Sequence, residues 1–193
     1  MPIDIDNMHW LNAPPMWEVN QGRLFVRSGN KTDFWQETYY GFHRDDGHFL
    51  GASRRGDFTA EVTFVGHYRE LYDQAGLMIR HDARHWMKCG IEYTDGAKHF
   101  SVVVTNGNSD WSAFRLDHEF DAMSARVTRN GDALFTQYRT DRMNEWRMAR
   151  LAWFDPTLEE VSIGPAFCSP QREGFEAEFL DFSLNDPLSR DIH

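Results

Sequence analysis

The sequence predicts an all-β domain in which two antiparallel sheets pack face to face as a sandwich. Three observations predict it: turn dipeptides recur along the chain, apolar and polar residues alternate between them, and aromatic residues make up 15% of the composition. Aromatic and β-branched side chains suit the pleated, half-buried surface of a strand. No stretch holds a helical apolar period long enough to form a helix. The 193 residues suffice for one sizeable core and no linker or repeat divides them, so 1–193 reads as a single β-sandwich domain.

The turn signals are Asp46-Gly47, Asp95-Gly96, Asn106-Gly107 and Asn130-Gly131, each a pair that favours the left-handed backbone of a tight hairpin. Between these and the weaker turn signals, strands are expected at 24–28, 57–65, 74–80, 86–94, 97–105, 110–116, 125–130, 132–139, 146–154, 159–167 and 175–184. That succession is what a sandwich requires.

Register follows for the central strands, because a strand buried on one face must keep its apolar side matched to its neighbours. A two-residue turn at Asp95-Gly96 pairs Thr94 with Ala97, and the pairing then sets Ile91 with Phe100, Cys89 with Val102 and Met87 with Val104, these six apolar residues on the core face. The other face pairs Glu92 with His99, Gly90 with Ser101, Lys88 with Val103 and Trp86 with Thr105. The strand before it offers Ala75, Leu77 and Ile79 to the core. A five-residue connection from His81 to His85 then sets Gln74 opposite Glu92 and Arg80 opposite Trp86. The alternative register opposes Arg80 and Lys88, a like-charge pair that costs stability. Gln74, Arg80, Trp86, Lys88, Glu92, His99, Ser101 and Thr105 therefore share one sheet face, either a solvated surface or the floor of a binding site.

Composition narrows the partners. Thirty acidic against twenty basic residues leave a net charge of -10, which disfavours nucleic acid and anionic membrane. No apolar stretch is long enough to span a bilayer and the N-terminal segment has no export signal, so a cytoplasmic location is expected. Cys89 and Cys168 sit in apolar strand contexts and read first as buried free thiols and second as a disulfide, with no neighbouring ligands at metal spacing.

The residues Phe34-Trp35, Tyr72-Asp73-Gln74-Ala75-Gly76-Leu77-Met78, Gly90-Ile91-Glu92, Ser101 to Thr105, Ser109-Asp110-Trp111-Ser112 and Ile163-Gly164-Pro165 through Cys168-Ser169-Pro170 form an ordered set over nearly the whole chain. This set resembles a domain-of-unknown-function family whose fungal members are named for regulation of enolase. The resemblance implies a concanavalin-A-like jelly-roll sandwich. It implies no reaction, because the family has no established one and a fold does not fix function. Its larger structural relatives include lectins and glycosidases, which suggests carbohydrate by analogy.

Glycoside hydrolysis needs paired carboxylates across a cleft; Asp117, Glu119 and Asp121 alternate but fall in an acidic connection, and Glu176 and Glu178 point away from the inward Phe175, Ala177 and Phe179. Glu92 opposite His99 is the better catalytic candidate, although a hydrogen-bonding network explains the pair as well. His81 and His85 read as loop histidines, and Asp4, Asp6, Asp45 and Asp46 fit no complete calcium loop. The sequence thus calls for no metal and no cofactor. Ligand binding fits more residues: a sugar ring can lie on an indole while its hydroxyls bond to Gln, Glu, Lys and Arg. The expected ligand-binding set is Gln74, Arg80, Trp86, Lys88, Glu92, His99, Trp111 and Trp146, with a saccharide or other small polar ligand as the partner. The orientation of Trp111 is open, since the loop from Asn106 to Ser109 admits registers that turn it either way. An enzyme acting on a sugar through Glu92 and a protein-interaction or regulatory module are the alternatives.

Overall fold

Three of the four turn dipeptides close hairpins. In the computed structural model, which describes residues 2–189, Asp95 and Gly96 take φ of 51° and 71° and Thr94 faces Ala97 across them. Gly107 (φ 81°) turns the chain between Asn106 and Asn108, and Gly131 (φ 64°) does so between Asn130 and Ala133. Positive φ on the turn residues matches the right-handed twist of the strands they join.

The strands assemble into two seven-stranded antiparallel sheets. The first runs, in spatial order, β1 (Met8–Leu11), β6 (His48–Arg55), β15 (Glu160–Cys168), β8 (Gln74–Asp82), β9 (His85–Thr94), β10 (Ala97–Asn106) and β11 (Asn108–Arg115). The second runs β14 (Arg147–Trp153), β13 (Ala133–Thr140), β12 (Met123–Asn130), β7 (Phe58–Gly66), β16 (Glu176–Asn185), β3 (Arg23–Arg27) and β2 (Met16–Asn20). A short ribbon of β4 (Phe34–Gln36) and β5 (His43–Asp45) stands apart. The architecture is the two-sheet sandwich that the strand pattern predicts, of the concanavalin-A-like kind that the family resemblance implies. Among the described residues no helix is long and apolar enough to cross a membrane.

Between the sheets lies the main core. The first sheet contributes Leu77, Ile79, Met87, Ile91, Phe100 and Val102, and the second contributes Val62, Phe64, Ala125, Val127, Leu134 and Phe179, all nearly or fully buried. Apart from the small Ala125, each of these side chains stabilises the fold by roughly 1.5–3 kcal/mol relative to exposure. Cys89 and Cys168 are both buried free thiols, and burial pushes the Cys89 thiol up to about 12.

The expected central register holds at every predicted pair: Ile91 with Phe100, Cys89 with Val102, Met87 with Val104, Glu92 with His99, Gln74 with Glu92 and Arg80 with Trp86. The connection before β9 differs. Asp82 already pairs with His85, and a bulge between Arg80 and Asp82 absorbs the extra residue that a shorter turn would otherwise misplace. Asp46-Gly47 is not a hairpin turn either. Both of their backbone N–H groups bond to the Asp33 carbonyl, at 3.1 and 2.8 Å, so the pair steers the chain from the β4–β5 ribbon into β6. Gly47 is required there, because a Cβ would lie 2.3 Å from the Phe34 ring.

Five strands escape sequence reading: β1, β2, β4, β5 and β6. β6 is the instructive one. Its first residues, His48 to Gly51, are buried without interruption because both faces are covered, so the alternation that marks a one-sided strand is missing.

What covers that face is the segment from 29 to 47, folded flat across the outer side of the first sheet. Phe34 and Trp35 pack with Phe49, Met78, Trp86, Val103 and Ala166 into a second, smaller core. His48 pins the segment at its start: its Nε2 accepts from the Gly29 N–H at 2.9 Å while Nδ1 donates to the Asn12 carbonyl at 2.6 Å. Farther along, the Gln36 N–H donates to Ser109 Oγ at 2.9 Å.

Candidate functional site

The outer face of the first sheet is a lattice of aligned rows, and its geometry follows from pairing alone. One row reads Gln74, Glu92, His99 and Arg115; the next reads Gly76, Gly90, Ser101 and Ala113; the third reads Met78, Lys88, Val103 and Trp111. The middle row has no large side chain, so it forms a trough between Glu92 and Lys88. Gly76 and Gly90 are fixed by crowding. A Cβ on Gly76 would lie 2.0 Å from the Cys89 carbonyl oxygen, and one on Gly90, where φ is 153°, would lie 2.2 Å from that of Ala75. No side chain can fill the trough from those positions.

Above the trough opens a cleft of about 260 Å³, bounded by Gln74, Lys88, Glu92 and Val103 from the sheet and by Trp35, Tyr40, Phe42, Tyr72 and Trp111 at the rim. This is at the small end of ligand pockets, which run roughly 300–1,000 Å³. A dent of about 20 Å³ continues below it along Gly76, Gly90 and Ser101.

Lys88 and Glu92 occupy the floor. The Lys88 ammonium donates to Asp33 Oδ1 at 3.3 Å and to the Phe34 carbonyl at 3.0 Å. Burial alone would lower its pKa, but the charge of Asp33, the influence of Cys168 and Glu92 and the hydrogen bond to Asp33 together outweigh that and raise it, so Lys88 is a fixed cation. Glu92 is 4% exposed. Burial pushes its carboxyl above the ordinary range against the opposing pull of Lys88 and of the hydrogen bond from Ser101.

Trp111 resolves the ambiguity left by its loop. The one-residue turn at Gly107 pairs Trp111 with Val103 and thereby points the ring outward. The indole N–H donates to Ser101 Oγ at 3.0 Å and to Glu92 Oε2 at 3.2 Å, so the ring leans across the trough and is held there while 39% exposed. Tyr72 meets it edge-on with centroids 6.3 Å apart, and a hydrogen bond with Tyr40 drives the Tyr72 hydroxyl up to about 12. Glu37, Tyr39 and Tyr72 all take positive φ (59°, 66° and 67°), strained conformations for side chains of that size.

Of the eight residues expected to bind, the structure brings together Gln74, Lys88, Glu92 and Trp111. The other four lie elsewhere, each for a visible reason. Trp86 is fully buried, its ring 6.2 Å from that of Phe34, because the covering segment lies over its row. Arg80 makes a paired contact with both oxygens of Asp45, at 2.8 and 2.9 Å. His99 faces Glu92 in register, but its Nδ1 contacts the Ala97 carbonyl at 3.2 Å, while the Trp111 indole takes the Glu92 oxygen. Trp146 is on the second sheet's side, flanked by the guanidinium groups of Arg126 and Arg139 at 4.2 and 4.8 Å. Asp45 and Asp46 are engaged by Arg80 and Arg44.

Sequence reasoning missed Asp33 and the rim residues Trp35, Tyr40, Phe42 and Tyr72. They sit on loops or the short ribbon, where no periodicity marks them. The signal that could have found the region was Phe34-Trp35, two aromatics beside an acid in a polar stretch.

The comparisons with known proteins agree with this architecture. The model of a family described as "Protein of unknown function (DUF1349)" matches residues 10–187, and the chain belongs to that family. It is 43% identical over 184 residues to "Regulation of enolase protein 1" of Saccharomyces cerevisiae, with 95% of this chain and 92% of that protein covered. A crystal structure of a functionally unknown protein from Saccharomyces cerevisiae matches at TM-score 0.91 and 41% identity, covering 96% of this chain and all of that one (100%). A mutant (K247S) of the GH43 protein BlXynB from Bacillus licheniformis shares the fold at TM-score 0.73 and 14% identity; 93% of this chain aligns with 37% of that one.

Proposed function

We propose that this member of the DUF1349 family binds a small polar ligand in the cleft over the outer face of its first sheet, and that the ligand is a carbohydrate. The observation that carries this reading is the arrangement of Trp111 over Glu92 and Lys88: a half-exposed indole whose N–H is tied down, beside a buried acid and a buried cation. The apolar C–H face of a sugar ring stacks on such an indole. Its hydroxyls both donate and accept, which suits a floor presenting a carboxyl, an ammonium and the Gln74 amide.

The test is a thermal-shift screen of neutral mono- and oligosaccharides, followed by calorimetry on the ligands that stabilise the chain by mass action. Trp111→Ala should weaken a verified saccharide at least tenfold, about 1.4 kcal/mol. Glu92→Gln should weaken it by about 1–3 kcal/mol without unfolding the chain. Unchanged affinity in both variants would exclude this cleft, and a chain that responds only to protein would make it an interaction module. Turnover of the bound sugar would instead favour an enzyme in which Glu92, with its raised pKa, supplies the proton.

A further inference from the structure

Around the cleft, charges are matched in pairs with one exception. Asp33 takes Lys88 at 3.3 Å, and Asp46 takes Arg44 at 3.1 Å. Glu92 is held by neutral donors, the indole of Trp111 and the hydroxyl of Ser101. Among the described residues no basic side chain forms a salt bridge with it. Two of the three Lys88 protons are committed to Asp33 and to the Phe34 carbonyl.

We infer that the cleft selects uncharged saccharides and rejects acid sugars, with Glu92 as the specificity-determining side chain. The inference rests on the carbohydrate reading and deepens it. A hexuronate would shed its water in a site whose two lining cations, Lys88 and Arg44, are already neutralised by Asp33 and Asp46, next to a buried carboxyl of its own sign. The rim compounds the effect. Trp35, Tyr40, Phe42, Tyr72 and Trp111 line the opening, and the electron-rich faces of aromatic rings attract cations and disfavour anions. The net charge of -10 adds a long-range field of the same sign. A neutral sugar meets none of these penalties: one hydroxyl can donate to Glu92 while its neighbour accepts from Lys88 or Gln74.

The experiment uses matched pairs of sugars on the full chain, glucose with glucuronate and galactose with galacturonate. The NMR shift of the Trp111 indole N–H is followed during titration at pH 7. The neutral member of a binding pair should bind at least tenfold more tightly than its acid, and Glu92→Gln should narrow that ratio to threefold or less. Glucosamine supplies a check that needs no variant, since its ammonium should be accepted within threefold of glucose. A uronate that binds as well as its neutral partner, or an unchanged ratio in Glu92→Gln, would overturn the selectivity while leaving carbohydrate binding in place. Rejection of glucosamine as strongly as glucuronate would show that the site discriminates against any charge, which removes Glu92 from the role. Titrations in which no sugar moves the Trp111 signal would overturn both readings together.

Discussion

Asp73 and Glu92 are both buried acids, and the fold treats them in opposite ways. Asp73, fully buried, ties the loop before β8 to the loop after β15. Its carboxylate accepts from Arg172 Nη2 at 2.6 Å, from Ser169 Oγ at 2.6 Å and from the backbone N–H groups of Arg69 and Glu70 at 3.0 and 3.1 Å. Burial would raise its pKa, but these hydrogen bonds from Arg172, Ser169, Arg69 and Glu70 together hold it below the ordinary value. Glu92 feels Lys88 only at longer range, with no salt bridge among the described residues, and burial raises its pKa against that pull. The lesson is that burial of an acid is not by itself a functional mark; a buried acid left without a salt bridge beside an opening is the stronger one.

The largest test of this contrast is Asp73→Asn, which leaves Arg172 buried without its counter-charge. Breaking a buried pair costs about 3–5 kcal/mol, so chemical denaturation should show a loss of that order. A loss below 1 kcal/mol would mean the knot is not structural. Gly90→Ala probes the trough beneath Glu92. Its Cβ would meet the Ala75 carbonyl oxygen at 2.2 Å, and overpacking of this kind costs about 1–3 kcal/mol. Denaturation should place the variant between Asp73→Asn and wild type. Smaller still is Tyr40→Phe, which removes the hydroxyl bonded to Tyr72. It should cost about 0.5–1.5 kcal/mol and bring the Tyr72 titration, followed by ultraviolet absorbance, back down from about 12.

The same contrast explains how much of the molecule was legible in the sequence. The lattice of β8, β9 and β10 was readable because Asp95-Gly96 fixes one hairpin and the opposition of Arg80 to Lys88 excludes one register of the next. Gln74, Lys88 and Glu92 follow from it directly. The site's other half is contributed by residues whose partners are remote: Asp33 is 55 positions from Lys88, and Asp45 is 35 from Arg80. Neither is set by alternation or a turn, so Arg80 and Trp86 read as cleft residues until the covering segment is seen to consume them. Trp111 was undecided for a local reason, because its face depends on whether the turn before it holds one residue or more.

Glu92 is kept buried and without a salt bridge for the cleft, at a cost to the fold, and the pH dependence of stability tests this most directly. A carboxyl whose folded pKa lies above its unfolded value of about 4.3 binds more protons in the folded state. Its contribution is therefore favourable at low pH and lost as pH rises through that interval. Asp73, with its pKa lowered, behaves in reverse: its contribution is present above about 4 and lost as pH falls. Wild type and Glu92→Gln should be unfolded with urea side by side from pH 4 to pH 7. Nearly equal stability is expected at pH 4 and a variant at least as stable as wild type at pH 7, the gap widening as pH rises. A variant that is less stable at pH 7 than at pH 4 relative to wild type would make Glu92 a structural acid like Asp73 and contradict the claim.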